Sequence, residues 1–331
     1  ATRAKLNHES QPFGIETVRV ENREAKITEE VALDLPFGNM LHFKKDIDAP
    51  QPRVLIVAPL SGHFATLLRN TVKTMLQDYV DYLIKMLEHL GTRAHVVAVC
   101  QPCVQALAAT SIMAANRHPC EPRSLTLMAG PIDCRVNPTQ VNDLATEHPI
   151  EWFKNNLIST IPFPLPGWGR RVYPGFMQLA AFMSMNPQRH MDAHKTLYQH
   201  LVDGEETEAE KIKTFYDEYF AVLDLTEEFY IETVQWVFQE MRLPTGRLKH
   251  RGEPVDPSAI RRTALLTVEG ERDDICSVGQ TAAAHELVTK LRPHLRSQHL
   301  QPGVGHYGVF SGRKWETQIY PTVRSVILST E

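Results

Sequence analysis

The sequence predicts an α/β fold, with a mostly parallel sheet, flanking helices and a large, mainly helical lid insertion. Three observations carry that prediction. Short apolar, β-branched runs at residues 54–58, 95–99, 124–129, 264–268 and near His299 read as buried parallel strands. Helical stretches lie between several of them, as alternating α/β architecture requires. The residues best suited to chemistry fall just after the C-terminal ends of these runs, where open α/β sheets hold their sites.

The elements follow in chain order. Thr17-Val18-Arg19-Val20 and Met40-Leu41-His42-Phe43-Lys44 alternate and suggest antiparallel edge strands, with a turn at Pro36-Phe37-Gly38. Strand 54–58 runs into Ser61-Gly62-His63-Phe64, and an uninterrupted helical stretch, 65–90, leads to strand 95–99. That strand enters a sharp turn at Cys100-Gln101-Pro102-Cys103 and then an alanine-rich helix. The core is read as 1–133 and 258–331, and the lid as 134–257. The lid opens with Ile161-Pro-Phe-Pro-Leu-Pro-Gly-Trp-Gly, which cannot be a regular helix. Helices are expected at 209–220 and 226–241, the second carrying Phe229, Thr233, Trp236, Val237 and Glu240 on one side. Acidic residues 203–210 read as a solvated loop entering a helix, and Phe176, Tyr216, Tyr219 and Trp236 as lid core. After strand 264–268, a helix is expected from near Ser277. A closing helix spans 313–330, with Pro321 bending it.

A strand, a tight turn and a helix are how α/β-hydrolases present their nucleophile, usually as Gly-x-Ser-x-Gly. The chain contains no such box. Ser277 comes nearest, with Gly279 after it but Ile275 before it. Cys100 therefore stands where serine would. Ala98 supplies a small neighbour, Pro102 suits the first helical turn, and the positive end of the helix favours the thiolate. The plain structural alternative is a buried core cysteine. Downstream residues favour chemistry. Strand 264–268 leads to the charged loop Glu269–Ile275, and His306 sits among Gly303, Gly305 and Gly308. Nucleophile, acid and histidine thus follow in hydrolase order. The Gly-x-x-Asp spacing from Gly270 favours Asp273 as the acid, with Asp274 facing solvent or capping a helix. The oxyanion donors are expected at the Gln101 N–H and at Ser61 or its neighbour Gly62. His63 reads as a loop residue near the site mouth.

Composition narrows the class. At 43% hydrophobic and 22% charged residues, the chain has the balance of a soluble globular protein. A net charge of −4 gives no reason to expect nucleic acid. No apolar run approaches the roughly 18 residues of a membrane span. Five cysteines without disulfide-like spacing, and no signal peptide, point to a reducing, cytoplasmic compartment. The chain does not begin with Met, so an N-terminal portion is expected to have been removed.

Further stretches carry a family likeness. They are Ala58-Pro-Leu-Ser-Gly-His, Val99-Cys-Gln-Pro, Gly130-Pro-Ile-Asp, Gly169-Arg-Arg-Val-Tyr-Pro-Gly-Phe, Phe215-Tyr-Asp-Glu-Tyr, Gln280-Thr-Ala-Ala-Ala-His and Gly305-His-Tyr-Gly-Val-Phe-Ser-Gly. In these the chain resembles the intracellular polyhydroxybutyrate depolymerases, cysteine-nucleophile α/β-hydrolases related to the polyhydroxyalkanoate synthases. The resemblance implies Cys100 as nucleophile, Asp273 as acid and His306 as base. It also implies cleavage of 3-hydroxybutyrate esters in a polyester granule or its oligomers, without metal or organic cofactor. Ala98 and Pro102, in place of glycines, point to depolymerase over synthase. Water or coenzyme A is the candidate acyl acceptor. Two other readings stand beside this one. Cys100-Gln101-Pro102-Cys103 is a Cys-x-x-Cys of the thiol–disulfide oxidoreductase kind, and a hydrolase fold could serve as a non-catalytic granule-binding protein. One departure is evident: the strand normally found between 54–58 and 95–99 is missing. Residues are therefore expected to be absent near Asp78, with a chain break between Asp78 and Tyr79.

Overall fold

The computed structural model describes residues 13, 15–20, 23–35, 38–47, 51–57, 75–165, 167–185, 187–220 and 224–331. Strands β1 (Thr17–Val20), β2 (Arg23–Leu35) and β3 (Gly38–Lys45) form an antiparallel sheet with an irregularity between Val31 and Leu33. Leu35 pairs with Gly38. The expected turn residues Pro36 and Phe37 lie outside the described residues.

Next come β4 (Val54–Val57), α1 (Met75–Leu90), β5 (His95–Val99), α2 (Pro102–Ala115) and β6 (Ser124–Met128). Helix α1 runs through Asp78 and Tyr79 without interruption. That continuity overturns the expected chain break. Among the described residues no strand pairs with the outer side of β4, which is an edge strand with Ile56 70% exposed. The expected helical residues 65–74 lie outside the described residues.

The described residues of 134–257 add no strand to the central sheet. They comprise α3 (Gln140–Glu147), α4 (Ile150–Asn156), β7 (Ser159–Thr160), β8 (Arg171–Tyr173), α5 (Gly175–Met185), α6 (Pro187–Val202), α7 (Glu206–Phe220), β9 (Leu225–Thr226) and α8 (Glu227–Thr233). Helix α8 continues into a π-helical segment, Val234–Gln239, so the stretch read as one helix changes pitch halfway. The hairpin β10 (Lys249–His250) and β11 (Glu253–Pro254) follows. The 203–210 run enters α7 as expected, with Glu206 and Glu208 in the first turn, where the helix dipole favours acids. Tyr216 is buried and Trp236 half-buried under Arg242, whose guanidinium lies 4.2 Å from the ring centroid. Phe176, read as lid core, is instead 58% exposed.

The chain then returns through β12 (Ala264–Gly270), α9 (Ala284–Leu287) and β13 (Arg296–Gln301). Turns occupy most of 277–283, so the helix expected from Ser277 shrinks to the short α9. The closing helix is α10 (Gly312–Lys314), a π-helical turn at Trp315–Ile319, and α11 (Tyr320–Ser329). The π turn falls just before Pro321, whose missing N–H cannot sustain the regular ladder.

The central sheet has five parallel strands in the order β13-β12-β6-β5-β4. Its two faces follow the period-2 alternation of strand residues. Val96, Ala98, Leu125, Leu127 and Leu265 share one core with α1 and α2 residues. Val97, Val99, Met128, Leu266 and Val268 share the other with Ile319, Val323 and Ile327. Registers Val99↔Met128 and Val268↔Met128 bring the C-terminal ends of β5, β6 and β12 level. This is the edge where the chemistry-bearing residues gather.

Candidate active site

Cys100 opens the two-residue corner between β5 and α2 with φ +65°, a left-handed conformation uncommon for a residue with a side chain. The corner is fixed from several sides. The Cys100 N–H donates to Met128 O at 2.8 Å, and its carbonyl accepts the Cys103 N–H at 3.1 Å. Pro102 begins the helix. Gly130, immediately past β6, packs against this corner so closely that an added Cβ would stand 2.2 Å from Cys103 Cβ and 2.8 Å from Cys100 O. The small residue that so tight a turn needs is thus supplied by the segment after the neighbouring strand. This role was missed in the sequence, although a glycine directly after strand 124–129 was the available signal.

The acid and histidine loops extend the pairing of β12 with β13. The Glu271 N–H donates to Gln301 O at 3.0 Å and the Arg272 N–H to Val304 O at 2.9 Å. Those bonds carry Asp273 and His306 into contact. His306 Nδ1 donates to Asp273 Oδ2 at 2.8 Å. Asp273 Oδ1 accepts the N–H groups of Ile275 at 2.9 Å and Cys276 at 2.8 Å, so both carboxylate oxygens are engaged. Asp273 is buried, whereas Asp274 is exposed. The spacing argument for Asp273 agrees with this geometry.

His306 is 5% exposed and sits edge-on to Tyr307 and Phe310, each 5.8 Å away between ring centroids. Burial pushes the imidazole down. The opposing charge of Cys100, hydrogen bonds to Asp273 and to Cys100, and the Asp273 charge together outweigh it and raise the pKa to about 10. The imidazolium is therefore favoured between a sulfur and a carboxylate. Such a ring can hold a proton and pass it on.

The structure brings Cys100, Asp273 and His306 together, with Gln101 beside them. The Gln101 side chain donates to Thr233 Oγ1 of α8 at 3.0 Å, a tie between the Cys100 turn and α8 that the sequence did not disclose. Ser61, Gly62 and His63 lie outside the described residues. All five cysteines are free thiols. Cys103 is fully buried, its thiol donating to Ala98 O at 3.3 Å and Met128 O at 3.6 Å, and burial followed by the charge of Cys100 raises its pKa. That is a poor setting for a resolving thiol. Among the described residues, no group of three or more His, Cys, Asp or Glu could hold a metal ion. No helix among them is long and apolar enough to cross a membrane.

Comparison with curated proteins finds no match. Among solved structures, the chain is similar to a monoacylglycerol lipase of Paleococcus ferrophilus, at 11% identity and TM-score 0.44, covering 83% of this chain and 82% of that one. It is similar to Rv0554 of Mycobacterium tuberculosis at 15% identity and TM-score 0.43, covering 79% and 74%. A Nitrososphaera gargenis structure from work on carboxylesterases shares 11% identity at TM-score 0.42, covering 95% and 100%. The sheet order, the left-handed corner after β5 and the loops after β12 and β13 are those of an α/β-hydrolase. Residues 129–331, more than half of the chain, match the family described as "PHB de-polymerase C-terminus". The chain therefore belongs to the polyhydroxybutyrate depolymerase family, which together with its fold supports an ester hydrolase.

Proposed function

We propose that this protein cleaves 3-hydroxybutyrate ester bonds of polyhydroxybutyrate through an acyl-cysteine intermediate. The observation that carries the reading is the Asp273–His306 hydrogen bond of 2.8 Å with Cys100 on the other side of the ring. Asp273 and His306 lie inside the family-matched segment, and Cys100 precedes it.

The Cys100 sulfur attacks the ester carbonyl carbon, and its proton resides on His306. The carbonyl oxygen becomes an oxyanion held by the Gln101 N–H and by the Ser61 region. Collapse breaks the carbon–oxygen bond of the ester. The departing alkoxide takes the proton from His306 and leaves as a hydroxyl-ended chain. Water then attacks the thioester, giving its proton to His306, and the hydroxy acid departs as the thiol re-forms. Asp273 keeps the imidazole in one tautomer and stabilises its cation throughout. Coenzyme A as the acceptor in place of water has no supporting observation.

Residues 134–257 act in this reading as a lid over the catalytic edge, tethered to it through Gln101 and Thr233. Association with polyester granules is supported by a cluster of exposed apolar side chains on that insertion. Phe163 and Trp168, in edge contact 5.7 Å between centroids, project with Leu165 from the loop between β7 and β8.

Incubation with amorphous polyhydroxybutyrate granules, with products identified by mass, tests the reading. Release of hydroxy acid or short oligomers is expected, together with co-sedimentation of the protein with the granules. An acyl adduct on Cys100 should accumulate in His306→Ala, which separates an enzyme from a silent granule binder. No product from wild-type protein with Cys100 demonstrably reduced would sink the substrate assignment.

A further inference from the structure

Gln105 of α2 is 1% exposed, yet neither the nitrogen nor the oxygen of its side-chain amide has a hydrogen-bond partner. An unpaired amide inside a protein is costly, and its persistence points to a ligand that completes it. The side chain lines a narrow, partly open cavity between the sheet and the insertion, whose walls include Val80, Val104, Ile132, Trp236 and Val237. The rest of the lining is mainly apolar, with Arg242, Lys249 and His250 as its other polar members.

The cavity lies along a seam that begins at the nucleophile turn. Gln101, Gln105 and Ala108 fall on one face of α2, at intervals of four and three residues. Thr233 and Val237, four residues apart, lie on the facing segment, which is π-helical from Val234. The Gln101–Thr233 hydrogen bond sits at the head of this seam. Gln105 is one helical turn further on, about 6 Å along the axis. An acyl group attached to Cys100 would have to extend about one helical turn along this seam to meet the Gln105 amide.

A primary amide offers a donor and an acceptor side by side. An ester carbonyl uses only the donor and an alkyl chain uses neither, whereas a hydroxyl uses both. We propose that this cavity is an acyl subsite in which Gln105 recognises the free 3-hydroxyl of a chain-end hydroxyacyl unit, with its alkyl part against Val104 and Val237. The inference rests on the ester-hydrolase reading above. It makes Gln105 a specificity residue that favours chain ends, accepting from the hydroxyl at Oε1 and donating to it from Nε2.

The test compares p-nitrophenyl 3-hydroxybutyrate with p-nitrophenyl butyrate, which differ only in that hydroxyl. Wild-type protein should show the higher kcat/KM on the hydroxy ester. Gln105→Leu should lower the ratio of the two values by about tenfold, the size of one net hydrogen bond. A fall of less than about threefold overturns the proposal. If Gln105→Leu does not fold, thermal unfolding of wild-type protein with 3-hydroxybutyrate or butyrate at equal concentration decides. The hydroxy acid should raise Tm more, and equal effects, or none, overturn the proposal. Wild-type protein that cleaves neither ester, with Cys100 reduced, rejects the enzymatic reading, and the Tm comparison then still judges the cavity.

Discussion

Thr281 clasps Gly130 through one hydroxyl, which accepts the glycine N–H at 2.8 Å and donates to the glycine carbonyl at 3.0 Å. Thr281 is itself held by Glu269 Oε1, which accepts the N–H groups of Gly279, Thr281 and Ala282 at 2.9–3.0 Å. All three of Glu269, Thr281 and Gly130 are buried. A line of contacts therefore runs from the end of β12 to the backbone that packs beneath Cys100. Thr281→Val keeps the shape and removes the hydroxyl, leaving the buried Gly130 N–H unpaired at about 1–3 kcal/mol, while the Gly130 carbonyl keeps the Ile132 N–H at 2.9 Å. Urea unfolding should show a loss in that range, and Thr281→Ser should restore most of it. A fully stable Thr281→Val protein would mean that the clasp carries no weight.

Gly130→Ala should be more damaging than its single methyl suggests. The new Cβ would meet Cys103 Cβ at 2.2 Å and Cys100 O at 2.8 Å, and backbone cannot move aside as a flexible side chain does. The expected outcome is a loss of about 2–4 kcal/mol, with activity falling more steeply than stability because the Cys100 corner is displaced. Cys103→Gly in the same protein relieves only the side-chain part of the clash, so recovery should be partial. Normal stability and turnover in Gly130→Ala would show that this packing is looser than described.

Much of this arrangement was legible in the sequence, for identifiable reasons. The runs around Val96 and Leu266 stand out because strands buried on both faces are continuously apolar, and the loops carrying the candidate residues follow their ends. Asp273 was separable from Asp274 by its spacing from Gly270, since one step along a turn reverses which side chain faces inward. What escaped were relationships across space. Gly130 matters through its contact with Cys103, and Thr233 through its bond to Gln101, and neither has a local signature. Strand β2 falls within the 15–45 stretch expected to hold edge strands, but its bounds were not legible because its charged, largely exposed residues lack clear alternation. Phe176 was assigned to lid core on hydrophobicity alone, which is a one-way rule. At Asp78 a chain break was inferred from an expected strand that the pattern lacks, whereas α1 is continuous through Asp78 and Tyr79.

The pH behaviour of His306 offers a sharp test of its coupling to Cys100. Its folded pKa of about 10 lies above the ordinary histidine value of 6.5. The sign follows from linkage: this group's stabilisation is fully present below pH 6.5 and is lost as pH rises through about 10. Cys100→Ser removes the sulfur's opposing charge and leaves burial set against Asp273 alone. The His306 ring resonance, followed by NMR, should therefore titrate at lower pH in that variant. The stability lost between pH 7 and 10 should shrink with it. A titration unmoved by Cys100→Ser would show that Asp273, and not the sulfur, holds the imidazolium.

The two cysteines of Cys100-Gln101-Pro102-Cys103 should respond to substitution very differently. Cys103 is fully buried, its thiol occupied by the carbonyls of Ala98 and Met128, with no route for exchange with a substrate disulfide. Serine at this position is slightly smaller and donates to the same carbonyls, so Cys103→Ser should keep ester hydrolysis within about threefold of wild type. Cys100→Ala removes the attacking atom and should lower kcat by about a thousandfold or more, with substrate binding little changed. A thiol–disulfide oxidoreductase would lose turnover in both variants, because attack and resolution need both sulfurs. Measuring soluble-ester hydrolysis and insulin-disulfide reduction side by side separates the two cases. Hydrolysis that survives Cys100→Ala but not Cys103→Ser would reverse the assignment of the nucleophile.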